Sequence, residues 1–195
     1  MIFLSHFHAD HFYGLPFLVL EYSYFARRHS DLTIVGPPGV EQKVEGLLEY
    51  GYPGMSRRDS GYRRRYCEVS DGAAGEVGGL SYQAVQVKHA EDAGLECFGY
   101  RVETGGRRLS YTGDTEWCDG LLTLAQDTET LVADCTYPSG RRRPEHLSLD
   151  EIRDLRGLMD PRTSLVLTHL SGAYTHPGLP RTHLAQDLAT ISFPA

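Results

Sequence analysis

The chain has 195 residues, of which 41% are hydrophobic and 23% are charged, with a formal net charge of −7 at pH 7. This length suits one globular domain over residues 1–195, and the acidic balance argues against a protein that coats nucleic acid non-specifically. Four cysteines stand singly without a C-x-x-C pair, at Cys67, Cys97, Cys118 and Cys135. This usage is typical of a reducing compartment and predicts a cytoplasmic protein.

The first third of the chain is predicted to alternate strands and helices. The opening MIFLS predicts a short buried strand, and apolar side chains at a spacing of three and four predict a helix from Gly14 to Arg28. LTIVG predicts a second strand, and a second helix is expected from Val40 to Tyr50. Residues 51–65 are rich in glycine, tyrosine and arginine and have no periodicity, which predicts a loop.

The rest of the chain is predicted to be mostly strand before helices return. Between Tyr66 and Thr112 we expect strands at YCEV, LSYQAVQVKH, FGYRVE and RRLSYTGD, with TGG as a hairpin turn. A short helix is expected from Gly120 to Gln126, then a strand at TLVADCTYP and a helix in LSLDEIRDLRGLM that begins near Ser148. TSLVLTHL and LATISF predict the last two strands. The alternation of strands and helices predicts an α/β fold.

Residues 4–15, LSHFHADHFYGL, contain the pattern H-x-H-x-D-H. Because alternate side chains of an extended segment share one face, His6 and His8 are placed to bind one metal ion. Asp10 and His11 follow directly and are placed to bind a second ion. So dense a cluster favours a metal site over unrelated surface or core histidines.

Four residues do not complete the coordination of two metal ions, so further ligands are expected elsewhere. His89, Asp114 and His169 each follow a predicted strand, where open sheets expose ligand positions. Each is a weak signal by itself, and their shared setting makes them candidates together.

The chain resembles the metallo-β-lactamase superfamily, and within it the ribonuclease Z-like branch, through motifs that occur in a set order. The motifs are LSHFHADHFYGLP, GPPG, VKHAEDAGLECFGYRVE, SYTGDT, DCTYP leading to EHLS, and LTHLS. The resemblance implies a four-layer αβ/βα sandwich with a dinuclear metal centre, usually zinc. Manganese and iron accept similar ligands.

The resemblance also implies a role for each candidate ligand. The side chains that would bind the two ions are His6, His8 and His89 for the first, Asp10, His11 and His169 for the second, and Asp114 for both. His146 in EHLS matches the histidine that this branch places next to the scissile phosphate.

Such a centre accounts for phosphodiester hydrolysis. Two divalent ions lower the pKa of a bridging water to give hydroxide near neutral pH, and they neutralise charge in the transition state. Asp10 would orient or deprotonate the water, and His146 would protonate the leaving oxygen or stabilise the non-bridging oxygens. Arg141, Arg142 and Arg143 are candidates to bind the substrate phosphate, and a solvated arginine loop is an equally good interpretation.

Two departures from the branch bear on the substrate and the fold. Only 24 residues separate His89 from Asp114, too few for the long arm with which ribonuclease Z enzymes grip transfer RNA. A small phosphodiester or a short nucleic acid is therefore the expected substrate, and transfer RNA is less favoured. The chain begins directly before H-x-H-x-D-H, so the first sheet is expected to lack its N-terminal strands.

The main hypothesis is a dinuclear-metal phosphodiesterase or nuclease. Two alternatives stay open: a hydrolase of a sulfate ester, carboxylic ester or lactone on the same centre, and a truncated metal-binding remnant without activity. The cysteines lie outside the metal-ligand positions, with Cys118 expected in the core, which argues against antibiotic hydrolysis. No apolar stretch is long enough to span a membrane, and the helix from Gly14 to Arg28 is a candidate homodimer surface.

Overall fold

The computed structural model describes residues 1–90, 94–140, 144–171, 174 and 177–192. The chain divides into two compact units, Met1–Ser70 and Asp71–Ala195. Each unit contains a β-sheet and helices, which confirms the predicted α/β class. The single domain expected from the length stays a prediction.

The first unit is built on a parallel sheet with strand order β1-β2-β3. Its strands are β1 (Ile2–Phe3), β2 (Leu32–Gly36) and β3 (Arg64–Glu68). Its helices are α1 (Ala9–Phe12), α2 (Leu15–Leu20), a π-helix (Glu21–Phe25), α3 (Val40–Gly51) and a 3₁₀-helix (Met55–Arg57).

The core of the first unit follows the apolar pattern of its sequence. β2 is buried on both faces, because Leu32, Ile34 and Val35 are almost inaccessible. Val44 and Leu48, four residues apart on α3, bury the same face of that helix. The strand predicted at LTIVG and the second predicted helix are therefore confirmed. The strand predicted at MIFLS is present as Ile2–Phe3, but these two residues are partly exposed and not buried.

Two segments of the first unit differ in detail from the prediction. The helix expected from Gly14 to Arg28 begins as α2, continues as the π-helix and ends at Phe25. The loop expected over residues 51–65 contains the 3₁₀-helix, and β3 begins near its end.

The second unit is built on a seven-stranded sheet with order β10-β9-β8-β7-β6-β5-β4. Its strands are β4 (Ala74–Val77), β5 (Leu80–Val87), β6 (Cys97–Thr104), β7 (Arg107–Tyr111), β8 (Thr130–Asp134), β9 (Ser164–Thr168) and β10 (Thr182–Leu184). Its helices are α4 (Asp119–Ala125) and α5 (Leu149–Leu158). Neighbours from β4 to β7 are antiparallel, and neighbours from β7 to β10 are parallel.

The core of the second unit lies between the central strands and the two helices. Fully buried side chains from β8, β9, α4 and α5 form one cluster, which includes Leu131, Leu165, Leu121, Leu124, Ile152 and Leu155. α5 begins with a capping box, in which the Ser148 and Glu151 side chains each accept from the other's backbone amide, as predicted for a start near Ser148. Among the described helices, none has the length and apolar composition that a membrane span needs.

The turn between β6 and β7 confirms the hairpin predicted at TGG. Gly105 and Gly106 have φ of 57° and 74°. Two consecutive residues with positive φ are the requirement of a type I′ turn, which matches the twist of the paired strands. Thr104 pairs with Arg107 across this turn.

The strand predicted at LATISF is wrong. Residues 188–192 form no strand, and Leu188 is fully exposed with φ of 62°. The last strand is β10, where Thr182 pairs with Leu165 and Leu184 with Leu167. β10 occupies the place beside β9, so the apolar run after it has no neighbouring strand to stabilise an extended conformation.

Candidate metal centre

The H-x-H-x-D-H motif of the first unit brings its histidine rings together. β1 ends at Phe3, the backbone of His8 is extended, and α1 begins at the next residue. The centroid of the His6 ring lies 4.6 Å from that of His8 and 4.2 Å from that of His11. The expectation that His6 and His8 share one side is therefore consistent with the structure.

The four side chains of the motif differ in exposure. His6 is fully buried, His8 is partly buried, and the side chains of His11 and Asp10 are 13% and 64% exposed. Asp10 Oδ2 lies 3.5 Å from His11 Nε2. Ser5 Oγ lies 3.0 Å from His6 Nδ1, a contact that orients the buried ring.

The sheet of the second unit collects further candidates at one edge. β5 and β7 run in the same direction, because each is antiparallel to β6, and β8 and β9 are parallel to β7. The carboxyl ends of these strands therefore lie at the same edge. The side chains at or just beyond those ends are His89, Asp114, Asp134 and His169.

Distances in the second unit show that these side chains converge. Asp114 Oδ2 lies 3.9 Å from His89 Nε2 and 3.6 Å from His169 Nε2. The His146 ring centroid is 5.0 Å from those of His89 and His169, with an interplanar angle of 22° to the latter. Ligand atoms of His89, Asp114 and His146 all lie within 4.8 Å of one another. This is the spacing at which one small cation can contact several donors.

Hydrogen bonds outside the cluster select the tautomers of two histidines. His89 Nδ1 lies 2.7 Å from the carbonyl oxygen of Glu145, so this nitrogen carries the proton. His169 Nδ1 lies 2.7 Å from Thr136 Oγ1, and that hydroxyl donates to Asp134 Oδ1. In the neutral rings both Nε2 atoms keep their lone pairs, the form required of a metal ligand.

Asp134 is a site residue that the sequence reasoning missed. Its side chain is fully buried, and Oδ2 lies 3.0 Å from His146 Nδ1. Oδ1 accepts from the Thr136 amide and hydroxyl, and Oδ2 also accepts from the Thr115 amide. The signal was present, since an aspartate ends the buried strand TLVAD in the quoted motif DCTYP.

His146 lies in the loop between β8 and α5. The loop is closed at its base by a bond from the Tyr137 amide to the Leu147 carbonyl oxygen, 3.1 Å long. Burial by itself lowers the pKa of His146, but the hydrogen bond and negative charge of Asp134 outweigh it and raise that pKa above its ordinary value. Asp134 thus stabilises the protonated ring and fixes its orientation.

The backbone is strained where it carries the site of the second unit. His169 has φ of 57°, and Ala90 and Glu145, next to His89 and His146, have φ of 50° and 70°. Left-handed conformations of non-glycine residues cost on the order of 1 kcal/mol or more and cluster at functional sites. The strand ends are therefore turned sharply at the positions that present these side chains.

The donors present fit divalent metal ions. Imidazole nitrogens with a buried carboxylate suit zinc, and the same set accepts manganese or iron. Among the described residues, the groups with metal-ligand spacing contain only histidine and aspartate. Cys118 packs against the core of the second unit, as predicted. The predicted phosphate-binding residues Arg141, Arg142 and Arg143 lie outside the described residues.

Comparisons with known proteins agree with this geometry. A family model described as "Beta-lactamase superfamily domain" matches residues 1–170. Ribonuclease Z of Staphylococcus epidermidis is 24% identical over 226 residues, covering 89% of this chain and 71% of that protein. Ribonuclease Z of Methanosarcina acetivorans is 27% identical over 218 residues, covering the same shares.

Solved structures show the same fold. The short form of human tRNase Z matches with a TM-score of 0.75 and 22% identity, over 99% of this chain and 78% of that one. A diphosphatase from the PhnP family matches with a TM-score of 0.68 and 20% identity, over 98% of this chain and 70% of that one. The family and the histidine and aspartate clusters together support a metal-dependent hydrolase. The predicted resemblance is thus confirmed: the chain belongs to the beta-lactamase superfamily domain family, has the metallo-β-lactamase fold, and is similar to ribonuclease Z proteins.

Proposed function

We propose that this chain is a metal-dependent phosphodiesterase that uses two divalent ions, with zinc favoured. The observation that carries the proposal is the convergence of His89, Asp114 and His146 at the carboxyl edge of the second sheet. Relatives named ribonuclease Z and a structural neighbour named a diphosphatase support chemistry at phosphorus. The alternatives of another ester substrate and of an inactive remnant are outcomes of the tests below.

The ligand assignment follows the resemblance. We propose His6, His8 and His89 for one ion, Asp10, His11 and His169 for the other, and Asp114 as the bridge. The ring spacing in the first unit and the Asp114 distances in the second support it. When bound, the two ions would lower the pKa of water and neutralise charge that develops on the phosphoryl oxygens.

The chain's own residues would complete the reaction. Attack of water oxygen on phosphorus breaks the bond to the leaving oxygen, which then needs a proton. His146 is suited to donate it from Nε2, because Asp134 holds Nδ1 and favours the protonated ring. Asp10, with its exposed carboxylate, is proposed to orient the water or accept its proton. Arg141, Arg142 and Arg143 remain predicted to bind the substrate phosphate.

A small phosphodiester is the favoured substrate. In the described part of the chain between His89 and Asp114, residues 97–111 form the hairpin of β6 and β7. A short hairpin supports the expectation that the long arm for transfer RNA is absent. A short nucleic acid remains within the proposal.

Metal content is the first test of the centre. Elemental analysis of the purified chain should give about two equivalents of metal, and Asp114→Ala should lower this number. Asp187→Ala, which changes an exposed aspartate, is the matched control and should leave it unchanged. Well under one equivalent in the unsubstituted chain would contradict the dinuclear centre and favour the inactive remnant.

Activity then separates the ester classes. Turnover of bis(p-nitrophenyl) phosphate should exceed turnover of p-nitrophenyl sulfate and p-nitrophenyl acetate at equal metal content. His146→Ala should lower kcat about 100-fold or more for a phosphodiester with an alkyl leaving group, and much less for p-nitrophenolate, which leaves without a proton. The exposed His183→Ala is its control. Equal losses on both substrates would remove the acid role, and full turnover by Asp10→Ala would remove the role of that carboxylate.

A homodimer is also proposed, on the helix named in the sequence analysis. α2 buries Leu15 and Val19, but Phe17 is 66% exposed and Phe25 in the π-helix is 75% exposed. Large exposed aromatic side chains on one segment are typical of an association surface. Light scattering should give twice the chain mass, and Phe17→Ser should reduce it; a monomer at micromolar concentration would contradict the proposal.

A further inference from the structure

The first unit contains a basic cleft that the proposed hydrolysis does not use. It has a volume of about 390 Å³ and lies between the end of the π-helix and the loop that follows α3. Its ionisable lining consists of Arg27, Arg28, Arg58, His29 and Asp59. Three arginines and one aspartate therefore line the same concave surface.

The arginines of this cleft differ from others of the same unit. Arg57, Arg64 and Arg65 each lie within 3.3 Å of a carboxylate oxygen. Across the described residues, no carboxylate lies within ion-pair distance of the guanidinium groups of Arg27, Arg28 or Arg58. Among the described residues, Asp59 is thus the only carboxylate that lines the cleft, and it forms no ion pair with these three guanidinium groups.

The positive charge of the cleft does not reflect an overall positive charge of residues 1–70. They carry as many acidic as basic side chains, so the net charge of −7 belongs to residues 71–195. A neutral unit that gathers three guanidinium groups and one carboxylate in one concavity has a local anion-attracting field rather than a generally basic surface.

Two of the guanidinium groups are held in place before any ligand arrives. Arg28 donates from Nε to the Ser30 carbonyl oxygen at 2.7 Å and from Nη2 to that of Asp31 at 2.8 Å. The Arg58 guanidinium lies 5.4 Å from the centroid of the Tyr24 ring, over its face. Groups ordered in this way lose less conformational entropy when they bind a ligand.

We propose that this cleft is a second anion site, which binds the phosphoryl group of a nucleotide or of another phosphate ester. A guanidinium plane matches phosphate oxygens with two parallel N–H donors, and we assign this contact to Arg27 and Arg58. Arg28 already uses Nε and Nη2 on carbonyl oxygens and contributes mainly its charge, and three positive charges exceed what one carboxylate neutralises. Tyr24 is 43% exposed, and because Arg58 lies over one face of its ring, we assign the stacking of a planar base to the opposite face. The phosphoryl group belongs either to a free nucleotide or to a polynucleotide.

The test measures binding, so it is independent of the proposed hydrolysis. Calorimetric titration of the purified full chain uses inorganic phosphate, adenosine monophosphate and a short single-stranded oligonucleotide as probes. The variants are Arg27→Ala and Arg58→Ala, with Arg58→Lys to keep the charge and lose the planar group. Arg57→Ala is the matched control, because Arg57 is the sequence neighbour of Arg58, is 82% exposed and pairs with Glu49 outside the cleft.

The expected result is about tenfold weaker binding in each alanine variant, an intermediate loss in Arg58→Lys, and less than a twofold change in Arg57→Ala. Binding of the monophosphate identifies a free nucleotide as the source, and binding of the oligonucleotide alone identifies a polynucleotide. The proposal is overturned if all cleft variants bind as the unsubstituted chain does, or if Arg57→Ala weakens binding equally. Circular dichroism of each variant checks that it is folded. Phosphate that binds at the metal centre binds equally to all variants, so it does not contribute to the differences in affinity between them.

Discussion

Gly120 in α4 allows the helix to approach β5 more closely than any other residue would. A Cβ at this position would lie 2.0 Å from the Gln86 carbonyl oxygen and 3.1 Å from the Gln86 carbonyl carbon. Ordinary van der Waals contact begins at 3.4 Å, so helix and strand would have to separate by about 1.4 Å. Both obstacles are backbone atoms, and no side-chain rotation relieves the clash.

The expected cost of Gly120→Ala follows from two opposing effects. Alanine favours a helix over glycine by about 0.5–1 kcal/mol. Overpacking costs about 1–3 kcal/mol and occasionally more. With a backbone clash of this size we expect the free energy of unfolding to fall by about 2 kcal/mol or more. Gly157→Ala, the same substitution in α5 with no atom within 4 Å, should raise it by up to about 1 kcal/mol.

Urea unfolding, monitored through the fluorescence of Trp117, is the assay. Trp117 is the only tryptophan of the chain and packs against the core that includes α4. Gln86 precedes His89 by three residues, so Gly120→Ala should also reduce metal content. A Gly120→Ala midpoint equal to or above that of the unsubstituted chain would refute the reasoning, because it would mean that α4 and β5 do not touch as described.

Three further predictions concern the second unit. Asp134→Ala removes a fully buried carboxylate that accepts several hydrogen bonds, and it should lower the free energy of unfolding by about 3–5 kcal/mol. In the same urea unfolding experiment, Asp187→Ala, which changes an exposed aspartate, should change this free energy by less than about 0.5 kcal/mol. Ser148→Ala removes the cap of α5 and should cost about 1 kcal/mol by thermal or urea unfolding; no loss would show that the capping box is not formed. Burial raises the pKa of the Cys97 and Cys135 thiols to about 12. Iodoacetamide at pH 8 should therefore leave both thiols unmodified in the native chain and should modify them after unfolding. Mass spectrometry measures the modification. Rapid modification of either native thiol would contradict its burial.

The sequence predicted secondary structure most accurately where the local preference of a segment for helix or strand agrees with the place that the segment takes in the folded chain. β2 and β9 are largely apolar and are buried strands, and α5 begins directly after Ser148, near which its start was predicted. LATISF shows the limit of this reasoning. Its residues have the composition of a strand, but β10 takes the place beside β9, and an apolar run without a partner strand stays irregular.

At the candidate metal site, too, the sequence predicted some residues, and only the structure revealed another. The spacing H-x-H-x-D-H by itself identified four metal-binding candidates, because an extended chain must place His6 and His8 on one side. Strand ends in the sequence indicated His89, Asp114 and His169. Asp134 was missed because an aspartate at a strand end is common, and only its contacts with His146 and Thr136 distinguish it from others.

The sequence by itself therefore determined the class of fold, most element positions and the candidate metal-binding residues other than Asp134, since these depend on periodicity and on spacing along the chain. The tertiary structure decided which side chains meet. It showed Asp134 behind His146, the close contact of Gly120 with β5, and the gathering of Arg27, Arg28 and Arg58 around one cleft. Arg27 and Arg58 are about thirty residues apart in the sequence. A local sequence pattern does not predict that they line the same cleft, because this depends on how helices and loops fold back on one another.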